Sequence, residues 1–370
     1  MNSVSLAEVD QGWRAALQSR FREASGQALQ SLRSTCYRIG DALVEVVSDH
    51  LPLLEELETF YGDCAEVSTA QASCHLRVTA VRVHGSQLLA LTFSGADFQD
   101  LLDLALGPYR FLRGQPFVVV AGPGPGWRLL QNANAQDRFL VASDTRIALV
   151  NLAEIPGEFV SDCIVSVAQY VQSGVLFMHA ASVGVDGVGA LLLGASHAGK
   201  STNALALALR GNAFLGDDVA AVRLATREIL PVPKSAGLRA GPLHRQLGAR
   251  LQGVRHVRLP GRDGVPRDVV RVSDFFPASK SGPLPLRFAF VLGGLTGIAK
   301  VSAFRPGYAD LMRLRSMVVI DTNPLWGQSP GQDLMELLKV LDLLRDLRCY
   351  LVDLGSVEET AGQIEQAMRA

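Results

Sequence analysis

The segment GASHAGKST, residues 194–202, constrains the fold of this 370-residue chain more than any other part of its sequence. Gly194, Gly199, Lys200 and Ser201 satisfy the pattern G-x-x-x-x-G-K-[ST]. The apolar run VGALLLG leads into the segment, and the helix-forming run NALALALR follows it. A buried strand, a glycine-rich turn and a helix, in this order, form a loop whose backbone N–H groups can surround an anion. The sequence therefore predicts an α/β unit with a phosphate-binding loop.

Each residue type in this loop has a physical role. Glycine lets the backbone wrap around the anion, and the N-terminus of the following helix adds partial positive charge. Lys200 is expected to reach the β- and γ-phosphates of a nucleotide, and the Ser201 hydroxyl to bind Mg2+. The predicted phosphate-contacting residues are Gly194, Ala195, Ser196, His197, Ala198, Gly199, Lys200, Ser201 and Thr202. The alternative is a strand-to-helix turn that serves packing alone, but lysine is rare here, with five among 35 basic residues, which favours a specific role for Lys200.

Two adjacent carboxylates follow the loop helix, in the run FLGDDVAAV. Neighbouring strand residues point to opposite faces, so Asp217 and Asp218 could both face the phosphates only where the strand ends and the backbone bends. One carboxylate would then hold Mg2+, and the other would accept the proton of an incoming hydroxyl. The alternative is a solvated turn after Gly216. A carboxylate pair beside a phosphate site favours phosphotransfer over nucleotide binding alone.

His179 lies in the apolar run VLFMHAASVGV, which is expected to be one strand before a hairpin at Asp186-Gly187. A histidine in such a run is more often a core residue whose nitrogens are satisfied by hydrogen bonds. From its own surroundings, His179 is thus only a candidate for the site.

The succession of His179, a glycine-turn hairpin, an apolar strand, GASHAGKST, ALALALRG and FLGDDVAAV resembles the catalytic core of the HPr kinase/phosphorylase family, including its HPr-kinase-related branch. In that family a histidine stands on the strand before the hairpin, and an Asp-Asp pair ends the strand after the P-loop helix. The segment LPVPKSAGLRAG is similar to the Pro-Lys loop of the related kinases. The resemblance covers residues 159–370.

The resemblance implies an α/β fold, with a PEP-carboxykinase-like P-loop kinase core and a mixed sheet, that catalyses ATP-dependent phosphorylation of a hydroxyl. It implies that Lys200 and Ser201 hold phosphate and metal, and it raises His179 to a catalytic-site residue near the transferred phosphate. Asp217 is assigned as the base and Asp218 as a metal ligand, although the sequence leaves their division of labour open. Lys234 and Arg239 become candidates for clamping phosphate or substrate; the alternative for both is an exposed loop position.

The sequence departs from the family pattern at two points, which concern the geometry of the loop and the identity of the phosphate acceptor. The family loop has glycine where His197 stands, and histidine adopts positive φ less readily than glycine, so a different loop geometry or nucleotide affinity is expected. The alternative is that His197 donates to a phosphate. No copy of the family's arginine-glycine signature for target binding and phosphorolysis is evident, so HPr itself is not the expected acceptor. Because the related branch includes kinases of natural-product pathways, a serine or threonine of a peptide or small protein is the leading acceptor.

The predicted organisation is a smaller N-terminal α+β domain over residues 1–155, with a role in presenting the acceptor, and a catalytic domain over residues 156–370. Within the second domain the run AFLGDDVAAVR is expected to be a strand, and residues 227–276, rich in Arg, Gly and Pro, to be loop-like. The arginine-rich part from Arg239 to Arg271 is either an entry for an acidic or phosphate-bearing ligand or an ordinary solvated loop.

Composition excludes several classes of partner. With 35 Lys+Arg against 36 Asp+Glu, the chain lacks the positive surplus expected for nucleic-acid binding or a polybasic membrane anchor. Its five scattered cysteines form no C-x-x-C pair, which argues against a disulfide framework or a zinc site. No run approaches the ~20 apolar residues of a membrane helix, and no signal peptide is evident. A cytoplasmic protein with soluble partners is expected; a homo-oligomeric state is left open.

Three functions fit the sequence. The first is a Mg-ATP-dependent kinase of a peptide or protein hydroxyl, with a small-molecule alcohol as the alternative acceptor. The second is a nucleotide-binding switch without phosphotransfer, in which the aspartates only hold metal. The third is a structural or peptide-binding module with a degenerate loop. The carboxylate pair with His179 favours the kinase, because a switch needs no base positioned for an acceptor.

Overall fold

The computed structural model describes residues 33–48, 51–66, 76–80, 117–121, 128–132, 135–143, 146–150, single positions between 161 and 172, and residues 174–260, 265–276, 281–310 and 332–370. The predicted N-terminal domain is therefore described in part. The predicted phosphate-binding loop, the carboxylate pair and His179 all lie within the described residues.

The first part of the chain forms an eight-stranded mixed sheet. Its strands are β1 (Arg33–Ile39), β2 (Ala42–Ser48), β3 (Ala65–Glu66), β4 (Leu76–Ala80), β5 (Phe117–Ala121), β6 (Arg128–Asn132), β7 (Ala135–Ser143) and β8 (Arg146–Val150). Their order is β3-β1-β2-β4-β8-β7-β6-β5, with parallel pairing of β4 to β2 and to β8. Helix α1 (Leu51–Tyr61) follows β2, and its buried face includes Leu53, Leu57 and Phe60.

Within the described residues, twelve further strands and five helices have defined bounds. The strands are β9 (Val175–Met178), β10 (Ala181–Val185), β11 (Val188–Leu193), β12 (Ala213–Gly216), β13 (Ala220–Arg223), β14 (Glu228–Leu230), β15 (Ala236–Arg239), β16 (His256–Pro260), β17 (Pro266–Val270), β18 (Leu284–Leu295), β19 (Lys300–Phe304) and β20 (Arg348–Leu354). The helices are α2 (Lys200–Leu209), α3 (Pro242–Leu251), α4 (Val272–Phe275), α5 (Gln332–Arg345) and α6 (Val357–Arg369).

Nine of these strands form a large mixed sheet, so the expectation of an α/β chain with a mixed sheet holds. The order is β12-β10-β11-β18-β14-β13-β9, and β20 lies beside β18 with β19 at its other side. Strand β18 pairs in parallel with both β11 and β20, whereas the other pairs are antiparallel. Apolar side chains on both faces are buried in separate clusters, one under α2 and α6 and the other under α5. Burial on both faces explains the continuous apolar sequence of β11.

Residues 227–276 are not loop-like, which corrects the expectation from composition. They include β14, a three-stranded sheet of order β15-β17-β16, and helices α3 and α4. Alternating buried positions along β15, Ala236 and Leu238, supply the packing that outweighs the Gly and Arg content.

The N-terminal sheet and the second part share a hydrophobic core, in which α1 packs with residues of β9 and β13. Polar contacts cross the same junction: the Ser235 amide donates to the Phe60 carbonyl over 2.8 Å, and the Ser273 amide to Asp63 Oδ2 over 2.9 Å. Through the described parts of the chain, no helix combines the length and the apolar character needed to cross a membrane.

Candidate functional site

The hairpin before the predicted phosphate-binding loop is confirmed. Strands β10 and β11 pair antiparallel from Ala181–Leu192 to Val185–Val188, and the turn between them has φ of 49° at Asp186 and 80° at Gly187. Two successive positive φ angles are the geometry of a two-residue turn that follows strand twist. The hairpin delivers β11, fully buried beyond its first residue, directly into the loop.

The loop from Gly194 to Gly199 turns the chain sharply from β11 into α2. Gly199 caps α2 in the left-handed region, with φ of 85° and ψ of 16°. A Cβ at Gly194 would lie 2.9 Å from the Ala198 Cβ, so the close approach of the two ends of the loop requires glycine there. His197, which stands where the family that the sequence resembles has glycine, also has positive φ, at 68°. The histidine at this position therefore adopts a backbone conformation that is less favourable for histidine than for glycine.

Lys200 points back over the loop. It is the first residue of α2, it is buried, and its Nζ donates to the carbonyls of Gly194 and Ala195 over 2.9 and 3.1 Å. Burial lowers the pKa of Lys200, whereas the charges of Asp218 and Asp217 act to raise it. A compact ammonium held at the loop by replaceable carbonyl contacts is suited to reach a phosphate seated there.

Two interruptions of β-strands bring the histidine and the carboxylates together. The run predicted as one strand before the hairpin is interrupted at His179, and β9 and β10 lie on either side. The run predicted as one strand after α2 is interrupted at Asp217 and Asp218, and β12 and β13 lie on either side. Strand β10 pairs with β12, and β9 pairs with β13, so both breaks occur at the same level of the sheet.

The bend at the second break presents both carboxylates to one cavity. Asp218 has φ of 67°, a left-handed conformation in which aspartate is enriched. This bend satisfies the condition under which two adjacent residues can face the same side. His179 Nδ1 lies 3.1 Å from Asp218 Oδ1, and both side chains are partly exposed, to 30% and 46%.

Asp217 has a different environment from its neighbour. It is buried, and burial together with the charge of Asp218 raises its pKa from 3.8 to about 6, against the lowering effect of a hydrogen bond from Ser201. Its Oδ1 is buried and has no hydrogen-bond partner among the described residues. A buried carboxylate with an unused oxygen and a pKa near neutrality can take up a proton or a cation.

A cavity of about 480 Å³ lies in front of these groups. Of the predicted site residues, it is lined by His179, Ser196, His197, Gly199, Lys200, Ser201, Thr202, Asp217, Asp218 and Arg239. Gly194, Ala195 and Ala198 form the base of the loop and are not among its lining residues. The volume is in the range of small-molecule sites.

Lys234 does not line this cavity. It is buried at the junction with the N-terminal part, where its Nζ lies 6.0 Å from the centre of the Tyr61 ring. The similarity of its segment to the Pro-Lys loop of the related kinases predicted that Lys234 clamps phosphate or substrate. The structure places Lys234 beside Tyr61 and not among the residues that line the cavity, and the clamp stays a prediction.

Arg267 was not predicted as a site residue, although it lines the cavity. It lies on β17 directly opposite Arg239 of β15. Its sequence surroundings, VPRDVV, were included only in the arginine-rich stretch. The register between two strands that are separated by α3 and β16 is what brings Arg267 to the site.

The residues present fit a magnesium ion bound together with phosphate. The described residues contain no group of three or more His, Cys, Asp or Glu side chains arranged to hold a metal by themselves. Mg2+ normally takes one or two carboxylates and completes its shell with phosphate oxygens and water. Ser201, the unpartnered oxygen of Asp217 and the adjacent Asp218 provide such a partial set at the loop.

Comparisons with known proteins find similar chains among solved structures. No family model matches the sequence, and no curated protein does. Among solved structures, the HPr(Ser) kinase/phosphatase from Coxiella burnetii is similar to this chain at 11% sequence identity, with 52% of this chain and 99% of that chain covered and a TM-score of 0.25. Similarity at this level does not establish a family, so the functional argument rests on the geometry of the site.

Proposed function

We propose that this chain is a Mg-ATP-dependent kinase that phosphorylates a serine or threonine hydroxyl of a peptide or small protein. The observation that carries this proposal is the convergence of Lys200, the Asp217-Asp218 pair and His179 on one cavity in front of a glycine-rich loop. A loop that only binds nucleotide needs the lysine and one carboxylate. The second carboxylate and the histidine are the additional groups that an acceptor hydroxyl would require.

In the proposed reaction, backbone N–H groups of residues 194–199 and the ammonium of Lys200 bind the β- and γ-phosphates of ATP. The acceptor oxygen attacks the γ-phosphorus, and the bond to the oxygen bridging the β- and γ-phosphates breaks. Asp217 takes the hydroxyl proton, for which a pKa of about 6 suits a base near neutral pH. The products are the phosphorylated acceptor and ADP.

Magnesium, held by Ser201, Asp218 and phosphate oxygens, would neutralise charge on the transferred phosphate. His179 contacts Asp218 and would fix the orientation of that carboxylate. One contact favours the reverse division of labour: the Ser201 hydroxyl hydrogen-bonds Asp217, which would place Asp217 beside the metal and leave Asp218 with His179 for the acceptor.

The two divisions of labour differ in their response to magnesium. If Asp218 binds the metal, Asp218→Asn raises the Mg2+ concentration needed for half-maximal transfer, whereas Asp217→Asn lowers the rate even at saturating Mg2+. A magnesium titration of both variants measures this directly. The opposite pattern would establish the reverse assignment.

The proposed function is tested by following labelled phosphate from ATP to a panel of peptides encoded near this protein's gene, with small alcohols in the same panel, by mass spectrometry. Transfer to a peptide serine or threonine supports the proposal. Transfer only to an alcohol would identify a small-molecule kinase. Tight MgATP binding with no transfer to any acceptor would identify a nucleotide-binding switch, the function expected if the carboxylates only hold metal.

The predicted presenting role of residues 1–155 is part of this proposal. Helix α1 packs against β16 and β17, and the Arg271 guanidinium contacts Glu58 of α1 over 2.9 Å. The N-terminal part therefore supports the small sheet that carries Arg239 and Arg267, so that it could influence the acceptor side of the cavity.

A further inference from the structure

Two arginines that do not belong to the loop also line the cavity. Arg239 of β15 and Arg267 of β17 are direct cross-strand partners, and both line the cavity. We call this pair the arginine wall. It belongs to the three-stranded sheet, whereas the loop, Lys200 and the carboxylates belong to the large sheet and its helix.

The strand register directs the arginine wall into the cavity. Residues directly opposite in an antiparallel pair point to the same face, so the two guanidinium stems are neighbours. Gly237 lies two residues before Arg239 on that face, and a Cβ there would lie 3.2 Å from the Arg267 Cδ. The missing side chain of Gly237 thus makes room for the Arg267 stem to cross β15.

Like charges placed directly opposite in a sheet destabilise it, so two paired arginines at a cavity are an unusual arrangement. The next carboxylate on β17, Asp268, points to the opposite face by strand alternation. There it lies 2.9 Å from His244 Nε2 and 4.0 Å from Arg258 Nε. On β17, Arg267 therefore faces the cavity, whereas the neighbouring carboxylate of Asp268 faces away from it.

We propose that the arginine wall recognises an anionic group, a carboxylate or a phosphate, on the phosphate acceptor. This inference rests on the proposed kinase function and adds the chemical class of the acceptor. The loop and Lys200 provide the donors for the nucleotide phosphates, so a second cationic site on a separate sheet is suited to the other substrate. Arg–carboxylate and Arg–phosphate pairs give both binding energy and orientation. An acceptor anchored there would present its hydroxyl towards Asp217 and Asp218.

The test uses matched acceptors and matched variants. The acceptors are serine peptides that are identical except for Asp or Ala beside the serine, and glycerol 3-phosphate with glycerol, so that peptide and small-molecule sources of the anion are separated. The variants are Arg267→Gln and Arg239→Gln. The control is Arg258→Gln, which removes the same charge from the same sheet at a residue that is 71% exposed and does not line the cavity.

Binding of each fluorescently labelled peptide, and competition by each small alcohol, is measured on the MgADP-saturated full-length protein, independently of transfer. The anionic acceptor of at least one pair should bind about tenfold or more tighter than its neutral partner, as a charge-assisted arginine contact allows. Arg267→Gln and Arg239→Gln should each remove this difference and leave MgADP affinity unchanged, and Arg258→Gln should preserve it. Thermal melts establish that each variant is folded.

The inference is overturned if the anionic and neutral acceptors bind equally well, or if Arg267→Gln weakens MgADP as much as it weakens the anionic acceptor, which would assign the wall to the nucleotide. An acceptor that binds through the wall but receives no phosphate from ATP would support the inference and contradict the proposed kinase. The two proposals therefore fail in different measurements.

Discussion

Two lysines of the described chain are buried to nearly the same extent, and they show how differently the fold uses one residue type. Lys200 is 7% exposed and Lys234 is 6% exposed. Lys200 lines the cavity and contacts backbone carbonyls of the loop, with two carboxylates close enough to affect its pKa. Lys234 lies over the Tyr61 ring at the junction of the two parts of the chain.

The difference lies in what surrounds each ammonium. Around Lys200, positive φ angles at His197 and Asp218 and the raised pKa of Asp217 all carry a cost in the protein alone, as is common at sites that bind a charged ligand. The Lys234 ammonium lies 6.0 Å from the centre of the Tyr61 ring, a distance at which a cation is attracted to an aromatic face. Burial of a lysine therefore indicates function only together with groups that a ligand would satisfy.

The largest effect is expected from removing the ammonium at each position in turn. Lys200→Met should lower phosphotransfer by at least ~10²-fold, because a preorganised charge on the transferred phosphate is lost. Lys234→Met, the matched change outside the cavity, should leave kcat/KM close to that of wild type. Initial rates with labelled ATP measure both. Equal losses of phosphotransfer rate in the two variants would show that the two lysines do not differ in function.

Asp217→Asn sharpens the account of the Lys200 region, because it removes the proposed base without changing the size of the side chain. The rate should fall by about 10²- to 10⁴-fold, while MgATP still binds. In the wild type, kcat/KM should rise with pH through about 6 and level off above it, since the base must be deprotonated. A pH profile with no change near this value would contradict the role of Asp217.

The same variant should be more stable than wild type at neutral pH. Because the pKa of Asp217 is raised from 3.8 to about 6, the folded state binds the proton more tightly than the unfolded state. Its contribution favours folding below pH 4 and is lost as pH rises through about 6, so Asp217→Asn should gain up to about 3 kcal/mol in unfolding free energy at pH 8. Urea unfolding at pH 8 and at pH 4 measures the gain, which should disappear at the lower pH.

A smaller effect is expected at the junction. Lys234→Met keeps the aliphatic stem but removes the cation from the Tyr61 ring, so the unfolding free energy should fall by about 1–2 kcal/mol. Tyr61→Leu should produce a loss that is not additive with Lys234→Met, because both remove one interaction. Additive losses in a double-mutant cycle would show that the ring contact does not stabilise the fold.

The smallest effect is expected at His197 in the phosphate loop. His197→Gly relieves a positive φ but adds backbone freedom to the unfolded chain, so the two terms, each about 1 kcal/mol, should nearly cancel. Thermal unfolding and MgATP affinity should both stay near wild-type values. A large loss of MgATP affinity would show that the imidazole itself contacts phosphate, and would enlarge the site beyond Lys200.

The sequence predicted the local elements of the site, but it could not predict that two apolar runs would each be interrupted and form two strands. The loop, the hairpin at Asp186-Gly187 and the helix from Lys200 follow from turn chemistry and apolar patterning, which are local. The break at His179 contains no turn-forming residue. It exists because β9 and β10 pair with different partners, which is a tertiary effect.

The same limit explains Lys234 and Arg267. The Pro-Lys segment predicted a clamp at Lys234, which stays a prediction; the structure places Lys234 beside Tyr61 of α1, a residue from a distant part of the sequence. Arg267 gave no local signal, because only the pairing of β15 with β17 places it opposite Arg239. The surroundings of each residue depend on a partner that is distant in the sequence, Tyr61 for Lys234 and Arg239 for Arg267.

The central claim is that Lys200 and its loop hold the phosphates of ATP, and Lys234 does not. Calorimetric titration of MgATP into wild type, Lys200→Met and Lys234→Met at one pH and salt concentration tests it most directly. Wild type and Lys234→Met should bind MgATP with the same affinity, and Lys200→Met should bind it at least ~10-fold more weakly. Unchanged affinity in Lys200→Met, in a variant shown to be folded, would contradict it.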